Sequence, residues 1–302
     1  MTAIDLTQLT PPDIIETLDF ETILSGHKAY LIALYPVEQQ AAIAAALELE
    51  SEPLLKLVQN AAYRELVLRA RYNDEARALL LAYAKGADLD HIGITYYQIA
   101  RLIVIPADPV ANPPVQAVYE DDEAYRVRLE LKPESWSTAG PTEGYEFHAR
   151  SASGLVKGAK ATSPIPGTTL VTVLSSESDG TPSQDVLDLV IARLNTQNIR
   201  PLSEEVLVQA AEIITYSIVA NLYVYAGSVS SMAVSEAQAA LEKYAADHHK
   251  LDEDIAVSAV NAAAFRAGVQ RVELNLLADI PVTSHQAAWC TGITVNIAGV
   301  VP

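Results

Sequence analysis

Ala152-Ser153-Gly154-Leu155-Val156-Lys157 and Arg266-Ala267-Gly268-Val269-Gln270-Arg271 state one pattern twice: the end of a helix, a glycine, and the start of an alternating strand. Around the first, the periodicity predicts a helix over 142–152, strands over 155–162 and 168–174, a helix over 182–194 and a strand over 204–213. Around the second it predicts a strand over 216–225, helices over 232–247 and 258–266, and strands over 269–276 and 291–297. The echo predicts two related small α/β units, built to pack rather than to react.

The strands explain why. Val206, Val208 and Ala210 face one way while Glu205 and Gln209 face the other, and Val272, Leu274 and Leu276 oppose Arg271, Glu273 and Asn275. Ile293, Val295 and Ile297 likewise oppose Thr294 and Asn296. Period-two alternation of this kind marks a sheet with helices on one face and a wetter second face. The strand bearing Ile218, Ala220, Leu222 and Val224 breaks the rule, because Val219, Asn221, Tyr223 and Tyr225 occupy its other face. That face calls for cover, from the neighbouring unit or from another chain. Thr181-Pro182-Ser183-Gln184 reads as an N-cap, a proline at N1 and a capping-box glutamine, and Ser258 reads as a second cap.

Before the α/β region the chain is helical. Thr10-Pro11 and Glu52-Pro53 place proline where helices start, and Gly86 is expected to end the helix carrying Ala76, Leu79, Leu80 and Tyr83. The alanine-rich run 41–49 offers a small-residue surface for close helix approach, so this part reads as a bundle arm. Six of the sixteen prolines fall between Pro106 and Pro141, together with Glu120-Asp121-Asp122-Glu123. A short helix over 121–131 within an extended linker follows, and a hinge or boundary belongs there. The resulting class is α+β and multi-domain: a helical arm over 1–105, the linker over 106–141, and α/β units of ferredoxin-like type over 142–213 and 214–302.

Composition narrows the function. The 302 residues carry a net charge of −18, spread over both halves, so neither half offers the basic footprint that nucleic acid requires. A single cysteine, Cys290, leaves no internal disulfide framework and no all-thiolate metal site within one chain. Residues 1–18 carry Asp5, Asp13 and Glu16 without a basic start, unlike a secretory leader. No stretch reaches the roughly 20 apolar residues that cross a bilayer.

Reactive constellations are sparse. His248 and His249 with Asp247, Asp252, Glu253 and Asp254 form the nearest approach to a metal site, yet adjacent helical residues point about 100° apart and a helix C-terminus suits a histidine by itself. Asp88, Asp90 and His91 read as an acid-rich first turn. The loop 175–180 lacks calcium-loop spacing. Cys290, beside Trp289, has no basic helper and reads as a packed thiol. No nucleophile elbow, phosphate loop or dinucleotide fingerprint occurs. The expectation is no catalytic residue, no cofactor and no metal. The surviving enzymatic alternative is a metabolite-binding protein with paired ferredoxin-like domains.

Taken in order, a further set of segments resembles the baseplate J-like family of contractile-tailed phages and R-type pyocins. It runs through Ser137-Thr138-Ala139-Gly140-Pro141, Phe147-His148-Ala149-Arg150-Ser151-Ala152, Thr162-Ser163-Pro164 and Val171-Thr172-Val173-Leu174-Ser175. It continues in Asp179-Gly180-Thr181-Pro182-Ser183, Arg200-Pro201-Leu202, Leu222-Tyr223-Val224-Tyr225, Gly268-Val269-Gln270-Arg271-Val272-Glu273-Leu274, Ala278-Asp279-Ile280 and Gln286-Ala287-Ala288-Trp289-Cys290. Phe20-Glu21, Tyr35-Pro36, Glu50-Ser51-Glu52-Pro53-Leu54 and Gly86-Ala87-Asp88-Leu89-Asp90 resemble the family's N-terminal half.

The resemblance implies a structural wedge subunit, made in the bacterial cytoplasm and built into a tail baseplate. Its helices would bundle with a second copy and a smaller partner, while the α/β region dimerises and links neighbouring wedges into a ring around the hub. Rearrangement of that ring would pass a signal to the sheath, without membrane insertion and without nucleic acid. Leu47 and Leu54 on the arm, Trp136 by the hinge, and Tyr223 and Tyr225 on the sheet are the candidate partner contacts. One feature departs from the family pattern: Leu131-Lys132-Pro133-Glu134-Ser135-Trp136 places Pro133 where a helix would continue. Trp136 there reads as a linker anchor or as core filling.

Overall fold

The computed structural model describes residues 12, 16, 18–137, 140–201, 203–225 and 230–301. The expected helix start at Thr10-Pro11 lies outside them. The chain divides into two compact units, 1–98 and 99–302.

The first unit is helical among its described residues. α1 (Phe20–Ala33) is capped by Asp19, whose carboxylate accepts from the Glu21 N–H. α2 (Val37–Ala46) leads to α3 (Pro53–Ala78), where Glu52 caps the Leu54 N–H and Pro53 occupies the first turn, as its sequence requires. Ile23, Leu24, Leu47, Leu55, Val58 and Ala62 form the core that α1, α3 and the turn after α2 share. Gly86 does not close the preceding helix: α3 stops at Ala78, and Gly86, with φ 51°, opens α4 (Gly86–Ile92). The positive φ that suits a C-cap here turns the chain into a new helix. A π-helical turn, Gly93–Tyr97, then ends on left-handed Gln98.

The second unit begins where an extended linker was expected, and the proline-rich stretch instead folds back on itself. β1 (Ile103–Ile105) pairs antiparallel with β2 (Val118–Tyr119), and Asp108 exchanges backbone hydrogen bonds with Val115 at 2.9 Å each way. The Asp108 carboxylate also accepts from the Val110 and Ala111 N–H groups, an Asx turn that makes proline-rich sequence reverse. α5 (Asp122–Leu131) follows with Asp121 as its cap, and at Lys132 it tightens into a 3-10 turn, Lys132–Trp136, because Pro133 cannot supply the next α-helical N–H.

Two three-stranded sheets follow. α6 (Thr142–Arg150) leads to β3 (Val156–Ile165), which pairs antiparallel with β4 (Thr168–Ser175); α7 (Gln184–Leu194) crosses to β5 (Glu205–Ala210), parallel to β4. In the second sheet, β6 (Glu212–Tyr225) is central, flanked by antiparallel β7 (Val269–Leu274) and parallel β8 (Gln286–Val301), with α8 (Ser230–Asp247) and α9 (Val257–Ala264) on one face. The ferredoxin-like type expected of these units has four strands and a split β-α-β crossover; among the described residues each sheet has three strands and the α7 crossover joins adjacent strands, so that finer assignment is not confirmed.

The echoing glycines do different jobs. Gly268 takes φ 84°, while Gly154 makes room for a neighbour: a Cβ there would lie 2.8 Å from the Ile103 carbonyl oxygen. The likeness of the two segments therefore does not extend to a shared connectivity. Both expected caps also differ. Ser183 precedes α7 without a side-chain cap, and Gln184 bonds Asp188 instead; α9 starts after Ala256, and Asp279 reaches across to accept from the Val257 N–H at 2.8 Å.

A single residue, Ala211, separates β5 from β6. The Ala211 N–H donates to Val173 of the first sheet and the Glu212 N–H to His285 beside the second. Leu174, Ala211 and Ala287 bury the junction, with Ile213 and Leu251 against them.

Candidate partner surfaces and the buried groups behind them

The five candidate contacts fall into different environments. Leu47 is fully buried in the arm's own core, so in this conformation it presents nothing to a partner. Leu54 is half-buried against the same core. Trp136 is 65% exposed on the 3-10 turn, which removes core filling as its role. Tyr223 lies under its own neighbour: the Arg271 guanidinium sits 4.0 Å from its ring centroid, its hydroxyl donates to Glu273 at 3.2 Å, and Arg271 pairs with Glu273 at 3.2 Å. Tyr225 at the strand end is 49% exposed. Part of the cover that the second face of β6 calls for is thus internal, with Asn275 accepting from the Val219 N–H and donating to Ser217.

An exposed run of apolar side chains on one long helix was not singled out by the sequence. Along α3, Leu57, Leu68 and Tyr72 are exposed on one flank and Tyr63 and Val67 on the other. At 100° per residue the two groups straddle the buried face of Leu55, Val58 and Ala62. Apolar side chains thus surround α3 on three sides, and such a helix normally has neighbours on all of them. An i, i+4 count would have found Tyr63 with Val67 and Leu68 with Tyr72.

A second feature without a sequence signal lies in the folded-back linker. Arg128 and Glu120, both buried, are joined through Nε and Nη2 at 2.6–3.1 Å, and Arg128 also donates to the Ala100 carbonyl and the Ser151 hydroxyl. Glu120 accepts from the Leu102 N–H, and Tyr125 donates to the Ile99 carbonyl. Each charge is therefore paired and hydrogen-bonded, which makes its burial tolerable. The acidic run at 120–123 supplies the anchor that fixes α5 to the start of this unit.

The histidine pair lies just past the end of α8 rather than on it, and its two rings separate. His248 Nδ1 meets Glu253 at 2.5 Å and its ring lies 4.1 Å from that of Tyr244. His249 turns inward, its Nδ1 2.8 Å from the Ala288 carbonyl oxygen and its ring against Trp289 and Gly180. Burial holds the His249 pKa below the ordinary histidine value. Among the described residues no group of three or more His, Cys, Asp or Glu side chains is placed to hold a metal ion. Burial raises the Cys290 thiol pKa, the opposite of nucleophile activation. A shallow depression along α9, lined by Val257, Ser258, Asn261, Ala262 and Phe265, opens broadly to solvent. Among the described residues no helix is long and apolar enough to cross a membrane.

These helices and small sheets, with apolar flanks exposed and ion pairs buried, make the chain an α+β protein. Comparison with known proteins gives that class a family. Family models match in chain order: the baseplate J-like N-terminal domain over residues 50–108, the baseplate J-like central domain over 137–210 and the baseplate J-like protein C-terminal domain over 216–296. The chain belongs to the baseplate J-like family. It is 47% identical over 300 residues to baseplate protein J of Escherichia phage P2, covering 99% of each chain.

Proposed function

We propose that this chain is a structural wedge subunit of the baseplate of a contractile tail or R-type pyocin particle, without catalytic activity. The observation that carries the baseplate role is the likeness to the phage P2 protein over 99% of each chain. In this reading the arm bundles with a second copy and a smaller wedge partner, and the two exposed flanks of α3 fit two such neighbours. The α/β region joins neighbouring wedges around the hub, with Tyr225 and Trp136 among its outward contacts. Rearrangement of the ring shifts a population between two interface states and releases the sheath.

The test is stoichiometry. Size-exclusion chromatography with light scattering, on the chain alone and co-expressed with the products of adjacent reading frames, should give a stable 2:1 complex with a smaller protein. A soluble trimer of this chain alone would place it elsewhere in the particle, and a lone monomer with measurable turnover would remove the structural role.

A further inference from the structure

In a chain with a net charge of −18, one group of basic side chains meets no anion among the described residues. The 3-10 turn that carries Lys132 packs on α6, as does α7, whose last turn carries Arg193. On α6 between them stands His148. Its ring meets Phe147 edge-on at 5.2 Å, and the Lys132 ammonium lies 5.2 Å from the same Phe147 ring. Burial first, then the charges of Arg193 and Lys132, push the His148 pKa down to about 4. Arg193 in turn lowers Lys132, and Arg128 lowers Arg193, in each case after burial. No carboxylate of the described residues acts on any of the three.

Hydrogen bonding is incomplete as well. The Arg193 Nε and His148 Nδ1 atoms are shut off from solvent and have no partner, although all three side chains are only part-buried. Several neighbouring cations of this unit are matched: Arg101 with Asp122, Arg126 with Glu123, Arg128 with Glu120, Lys160 with Asp252. Those pairs also commit the acidic run at 120–123, with Asp121 acting as a helix cap, so the run is not held in reserve for this cluster. The Lys132 and Arg193 charges repel one another and keep His148 neutral until an anion arrives.

We propose that Lys132, His148 and Arg193 form a docking site for an acidic side chain of a partner protein. Charge complementarity favours a single carboxylate over a nucleic acid, because two cations and a neutral histidine on a strongly acidic chain cannot hold a polyanion against the field of the rest. Trp136, on the same turn as Lys132 and exposed, supplies the kind of aromatic anchor that accompanies arginine in protein interfaces. Carboxylate docking would also favour the imidazolium, so the site takes up a proton as it binds. The proposal does not depend on the wedge role and survives its failure.

The experiment uses the full chain, with hexaglutamate as probe and the ring resonances of His148 followed by NMR through a pH titration at low salt. The peptide should raise the His148 midpoint by about one unit or more. In both R193Q and K132Q that displacement should shrink by at least half. Three results would overturn the proposal: an unchanged midpoint in the native chain at saturating peptide, an equal displacement in both variants, or a response to duplex DNA at lower concentration than to the peptide. The native titration decides on its own should either variant fail to fold.

Discussion

At the scale of single residues, the tightest point is Gly180, where φ is 99° and a Cβ would sit 2.6 Å from Leu174 Cδ1 and 2.7 Å from His249 Nε2. Strain and overpacking together should make Gly180→Ala cost about 3 kcal/mol. Gly292→Ala, with nothing within 4 Å of the added carbon, should stay within about 0.5 kcal/mol. Urea unfolding followed by tryptophan fluorescence measures both, since Trp136 and Trp289 lie in the same unit. The Arg128–Glu120 pair makes a second case. Glu120→Leu or Arg128→Met alone strands a buried charge and should cost about 3–5 kcal/mol, while the double replacement should recover much of it. A double-mutant cycle that proved additive would remove the pair from the account.

His148 sets a pH dependence at the same scale. Its folded pKa of about 4 lies below the unfolded value of 6.5, so the unfolded chain binds the proton first as pH falls. Stability should therefore be unaffected by this group above pH 6.5 and decline between 6.5 and about 4. Unfolding midpoints across that range should fall less steeply in His148→Gln than in the native chain.

Among the elements, α3 carries the sharpest prediction. Tyr63→Glu and Tyr72→Glu alter opposite flanks of one helix, at exposed positions outside its buried face. Each should leave the isolated chain's stability within about 0.5 kcal/mol. Each should also remove one neighbour from the co-expressed assembly, and the double variant both; complexes of unchanged stoichiometry would mean that α3 is not the bundle's seam.

Strands and helices were legible wherever side chains repeat. The alternation of Val206 with Val208, and of Val272 with Leu274, located β5 and β7 because burial on one face leaves a period that local sequence records. Partnership was not legible. Nothing local tells that β8 runs beside β6, that Asp279 caps α9, or that the linker's Asp108 and Val115 pair. Those choices are settled by contacts between distant residues. The cation cluster escaped notice for the same reason, since Lys132, His148 and Arg193 share no spacing and meet only through packing. Of the surface contacts, Tyr225 reads as part of the face of β6 that calls for cover, whereas the sequence leaves Trp136 open between linker anchor and core filling, and Leu47 has the same apolar context as an exposed leucine and differs only in what folds over it.

For the molecule as a whole, the extended segment from Glu205 to Tyr225 belongs to both sheets, interrupted by Ala211 alone. Its second part is laced to β8 in parallel along its entire length, from Glu212 opposite Gln286 to Tyr225 opposite Val301. A pull along that backbone loads the ladder in shear, so its rungs must give way together rather than one after another. The segment behaves as a tie-rod: tension applied to one α/β unit reaches the other as displacement instead of being lost in stretch.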